Sequence, residues 1–141
     1  MSKLKFLIGI VIALLISFGV FVYYKYRKVF DYAANIEVYS ELLSRDPNNC
    51  FYNEQMAVNY SFLNKFDEAI NYYEIALTNC PEYLTNLFQL GVIHYLKGNK
   101  EIGLKFMDKA IEKAKEAEDK ELELVFRKEK SDWIRKVGKD Q

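Results

Sequence analysis

The stretch PNNCFYNEQMAVNYSFLNKFDEAINYYEIALTNCP, Pro47 to Pro81, decides how the chain is read. Its two prolines are the only two in the sequence, and they stand 34 residues apart. Between them lie Met56-Ala57-x-x-Tyr60 and Ala69-x-x-x-Tyr73. A shift of 34 residues brings the pattern back as Leu90-Gly91-x-x-His94 and Gly103-x-x-x-Met107, with Ala76 answered by Ala110. Small residues at fixed slots predict points where two helices cross closely, at Ala57 and Gly91. Tyr60 and Tyr73 are large enough to fill the space beside such a crossing. Each proline lacks an N–H and restricts the residue before it, so it separates one helix pair from the next.

A period of 34 with these slots resembles the tetratricopeptide repeat, a helix–turn–helix unit that stacks into a solenoid. Several positions depart from the usual pattern. Asn53 and Leu87 hold the Trp slot, His94 stands for Tyr, Gly103 for Ala and Met107 for an aromatic residue. Lys115 stands where a third proline would fall. The resemblance implies an all-α fold in which units 48–81 and 82–115 are followed by a capping helix and tail, 116–141.

Upstream, Phe6 to Tyr24 is 19 residues without a charge, within the span of roughly 17–25 that crosses a bilayer as a helix. Lys3 and Lys5 flank one end, and Lys25, Arg27 and Lys28 the other. Tyr23, Tyr24 and Tyr26 sit at the boundary where amphipathic rings favour headgroups. A cleaved signal peptide would have a shorter apolar core and a small-residue cleavage site. Val20-Phe21-Val22-Tyr23-Tyr24 offers no such site, so residues 1–28 are read as an uncleaved anchor contacting lipid through 6–24. The flanking charges nearly balance. They leave open a domain outside the cytoplasm, the preferred reading, as in a bacterial periplasm, and a domain on the cytosolic face. No Gly or Pro interrupts Val20 to Asp46, and Phe30, Ala33, Ala34, Ile36, Tyr39, Leu42 and Leu43 recur at helical spacing. Residues 29–47 resemble the second helix of a unit whose first is missing, and the anchor is expected to run into them unbroken from about Leu4 to Arg45. Five further helices are expected over 49–63, 65–78, 82–97, 99–115 and 118–137. Asn64-Lys65 and Gly98-Asn99 mark turns within units. Gly138–Gln141 is expected to be a frayed end.

Half of the residues are hydrophobic, enough for one core. Charge is uneven although the whole chain is formally neutral. Residues 29–96 carry two basic residues against nine acids, and 97–141 carry 13 against 11. An acidic front without a basic stripe argues against nucleic-acid binding. Pairs such as Glu101 with Lys105 and Glu116 with Lys120 have the spacing of solvated helix faces.

No catalytic constellation stands out. One histidine cannot make a His pair, and His94 is expected to be a packing residue with one nitrogen satisfied. Gly91, Gly98 and Gly103 are too scattered for a phosphate loop. Neither a cofactor, a metal nor a small-molecule substrate is expected, and no enzyme activity. Asn59-Tyr60-Ser61 matches the glycosylation tripeptide but falls inside a predicted helix. Cys50 and Cys80 flank the first unit. The favoured reading is two unpaired thiols acting as small apolar residues; the alternative is a disulfide, which requires Cα atoms about 4.4–6.8 Å apart.

The resemblance implies a protein-binding module whose concave face is lined by the first helix of each unit. By slot, Phe51, Glu54, Val58, Ser61 and Phe62 point there from the first unit, and Phe88, Val92, Tyr95 and Leu96 from the second. Leu122 and Phe126 close the groove. Relatives that clamp a C-terminal carboxylate use Lys and Asn at these slots, and this chain has neither there. An apolar lining suits a partner peptide or amphipathic helix. Two alternatives stay open: the last helix or a second copy fills the groove, or the protein is a structural subunit of a membrane complex.

Overall fold

The structure, a computed structural model, describes the backbone of residues 2–137 and side chains from 8 to 136. The expected frayed end, 138–141, lies outside the described residues. Six helices and no strand occur among the described residues: α1 Ser2–Arg45, α2 Cys50–Phe62, α3 Phe66–Asn79, α4 Leu84–Leu96, α5 Lys100–Glu116 and α6 Lys120–Val137.

α1 is continuous over 44 residues, about 66 Å at 1.5 Å per residue. It passes through Tyr24 to Asp31 without a break, as the absence of helix breakers there predicts. Asp46-Pro47 ends it. α2 starts at an Asn49 cap, whose side-chain oxygen accepts from the Tyr52 N–H at 3.1 Å. Asn53 explains its own presence in the Trp slot. It is buried, and its amide donates to the Pro47 and Asn49 carbonyls, both at 2.9 Å, fastening the loop that a large ring would otherwise pack against.

The turns inside the two units share one backbone solution. Asn64 has φ 58° and Gly98 φ 101°, the left-handed region favoured by these two residue types. The turn between α5 and α6 uses Glu118 at φ 58°, a position with no sequence signal for it. Without a proline at Lys115, α5 runs to 17 residues where α3 stops at 14. α4 starts at Leu84, later than expected, because Cys80 to Glu82 form a tight turn closed by Tyr83 N–H on the Cys80 carbonyl at 3.1 Å.

Two buried clusters hold the stack together. Ala57, Ala69, Tyr73, Leu90 and Ile93 join α2, α3 and α4. Phe88, Val92, Tyr95, Met107, Ala110 and Phe126 join α4, α5 and α6. The second crossing is a glycine pair. A Cβ on Gly91 would lie 2.7 Å from the Gly103 carbonyl oxygen, and one on Gly103 would lie 2.5 Å from that of Gly91. Gly103 stands in place of Ala because the two backbones touch.

Candidate functional site

The nine residues expected to line a groove separate into two groups. Phe88 is 0% exposed and Phe126 3%, with their rings stacked at 4.6 Å and 6°. Val92 and Tyr95 are buried in the same cluster, and Leu122 packs half-buried against it. The expectation that these five form an open binding surface is therefore corrected: α6 lays Phe126 over Phe88 and closes the rear half of the groove. Burying two such rings stabilises the closed arrangement by roughly 1.5–3 kcal/mol each, a gain available at once to a helix tethered by a short turn.

The front half is open. Phe51 is 51% exposed and Phe62 58%, while Glu54 and Val58 are half-buried. Both rings lean on α1. Phe62 stacks on Tyr32 at 4.6 Å and 4°, and Phe51 meets Tyr39 edge-on at 6.3 Å. Tyr32 and Tyr39 are seven residues apart, two helical turns, and so share a face. Tyr32 was not singled out from the sequence; its spacing from Tyr39 was the available signal. A further link, Asn35 Nδ2 to Asn59 Oδ1 at 3.3 Å, ties α1 to α2. Asn59 is buried and also donates to the Gln55 carbonyl, so the glycosylation tripeptide is packed in the interior.

Cys50 and Cys80 form a disulfide with their Cα atoms 6.1 Å apart. The reading of two free thiols is thus overturned. The antiparallel α2 and α3 bring the opening and close of the first unit together, and the linkage follows from that proximity. His94 stacks on Phe106 at 5.4 Å, a packing role, but its Nδ1 is buried without a partner. Burial lowers its pKa below the ordinary histidine value; Glu74 opposes that shift and Lys97 adds to it. Burial also raises the Tyr73 pKa, with Glu54 adding to the effect. Glu101 and Lys105 pair at 2.8 Å on α5. Glu116 and Lys120 do not share a face, because one ends α5 and the other begins α6.

Beside the front half lies a cleft of about 420 Å³, lined by Glu54, Glu82, Tyr83, Asn86, Asp119 and Leu122 among others. Among the described residues, no group of three or more His, Cys, Asp or Glu is placed to hold a metal ion.

Residues 52–83 match the family model described as tetratricopeptide repeat. The fold is similar to the crystal structure of the Sgt2 TPR domain from Aspergillus fumigatus, at a TM-score of 0.57 and 20% identity. That similarity covers 79% of this chain and 76% of the other. No curated protein matches the sequence. Repeat period, helix pairing and structural neighbour agree on the architecture: the chain folds as a tetratricopeptide-like α-solenoid behind one long apolar helix.

Proposed function

We propose that this protein is a membrane-tethered adaptor that binds a partner protein through the open edge formed by α1 and α2, recruiting that partner without chemistry of its own. The observation that carries the reading is the pair of exposed rings, Phe51 and Phe62, set on Tyr32 and Tyr39 at the end of the solenoid nearest the apolar segment. Exposed aromatic rings held rigid by their neighbours are suited to anchoring a partner, since little side-chain freedom is lost on binding. An amphipathic helix fits the slot left by the missing first helix of the half repeat.

Tethering is supported by α1. It is long and apolar enough to cross a bilayer, and its most apolar window has no residue buried against the domain. A core helix of a soluble protein would be covered. The disulfide supports a domain facing an oxidising compartment, outside the cytosol, since such bonds are rare in reducing ones.

Purification of the full chain in mild detergent, followed by quantitative mass spectrometry of what accompanies it, tests the reading. The Phe51→Glu/Phe62→Glu variant should lose the partner proteins while keeping its helical circular dichroism. Partners retained by that variant would move the binding face elsewhere. The exposed Val29, Phe30 and Val38 on α1 favour a second reading, a subunit packed permanently in a membrane complex. One constant stoichiometric set of companions would mark that subunit, and exchangeable substoichiometric ones the adaptor.

A further inference from the structure

The cleft beside the front half of the groove has two opposed chemical demands. Its carboxylates ask for a cation. Glu54 comes from the middle of α2, Glu82 from the turn before α4, and Asp119 from the turn before α6. Among the described residues none of the three takes part in an ion pair; Asp119 spends one oxygen on the Leu122 N–H at 3.0 Å. The same cleft asks for a hydrogen-bond acceptor. Asn86 lines it, is 1% exposed, and has an amide nitrogen with no partner. α4 begins one residue after Tyr83 with no side chain capping it, so the positive end of its dipole is also unanswered there. A buried donor left unpaired is destabilising in the free protein, which makes it a candidate for a group that is paired only in a complex.

A phosphate or a carboxylate would satisfy the amide but would be repelled by three acids. A simple cation would satisfy the acids and leave the amide unpaired. A peptide residue with a basic side chain meets both demands: its carbonyl accepts from Asn86 while its ammonium or guanidinium sits among Glu54, Glu82 and Asp119. We propose that this cleft receives a Lys or Arg of the partner protein, with Asn86 holding the adjacent main-chain carbonyl. The assignment rests on the adaptor reading and adds to it the charge of the partner segment beside the aromatic edge. The acidic balance of residues 29–96, two basic against nine acidic, steers such a segment towards this end of the solenoid.

The test uses the full chain in nonionic detergent micelles and fluorescence anisotropy with a labelled alternating Lys-Ala decapeptide, compared with its Glu-Ala counterpart. The Lys-Ala peptide should bind in preference. Glu54→Gln/Glu82→Gln should weaken it about tenfold, and Glu37→Gln/Glu68→Gln, which removes the same charge elsewhere, less than about twofold. Asn86→Leu should weaken binding without lowering the thermal midpoint, because it deletes an unpaired donor. Equal losses in the two double variants, no preference for the basic peptide, or an Asn86→Leu protein that binds as before would each overturn the assignment. If those failures occur while Phe51→Glu/Phe62→Glu still abolishes protein capture, the adaptor reading stands and only the basic specificity is lost.

Discussion

His94 takes the slot that the repeat pattern gives to tyrosine, and its ring stacks on Phe106 much as a phenol would. The cost of the exchange is electrostatic. Burial holds its folded-state pKa below the unfolded value, against Glu74 and with Lys97, so the unfolded chain binds the proton more readily. Stability from this group is present above the unfolded pKa, about 6.5, and declines as pH falls through it towards the lowered folded value. The thermal midpoint should therefore drop between pH 7.5 and 5.5 more in the wild type than in His94→Tyr, which keeps the stack and removes the titration. Identical pH profiles would show that the imidazole is too well solvated to matter. Asn53 and Gly103 make the same point about departures from a pattern. Each looked like a weakened match in sequence, and each has a local partner: a loop carbonyl for Asn53, a facing glycine backbone for Gly103.

Among the elements, α6 decides what the groove is. Its pattern shows an apolar face, Leu122, Phe126 and Trp133, but not where that face lands. The structure lands it on α4. Phe126→Ala should cost about 3–5 kcal/mol in urea unfolding, the range for removing a buried aromatic side chain. Phe88→Ala should cost as much, whereas truncating the half-exposed Phe62 should cost far less. A Phe126→Ala loss under about 1 kcal/mol would mean that α6 is only loosely docked and the rear groove is accessible. α1 shows the opposite relation between pattern and element. Its continuity could be read from the sequence, because nothing between Val20 and Asp46 can stop a helix.

For the whole molecule, the disulfide and the long helix set the physical context. Cys50–Cys80 closes a sequence separation of 30 around α2 and α3. Closing that loop restricts the unfolded chain, an effect of roughly 2–4 kcal/mol. Reductant should lower the wild-type urea midpoint and leave that of Cys50→Ser/Cys80→Ser, already lower, unchanged. A wild-type midpoint insensitive to reductant, with reduction verified by thiol titration, would show that the hairpin holds itself without the bond. Much of the architecture could be read from the residues because it is local. Apolar spacing, two prolines, Asn64 and Gly98 act within one helix pair and repeat every 34 residues. The binding surface could not be read in the same way, since Phe62 and Phe88 occupy comparable slots yet only one is covered.

Sequence alone determined that this chain is helical, that its units recur, where most turns fall and that an apolar segment continues into the first unit. These depend on backbone preferences and side chains within a few residues of one another. Tertiary structure decided that Phe88 and Phe126 are core, that Phe51 and Phe62 are surface, that two cysteines meet, and that Asn86 is left without a partner beside three carboxylates. Those facts depend on the angles at which helices pack, and packing angles are set by contacts between residues far apart in the chain.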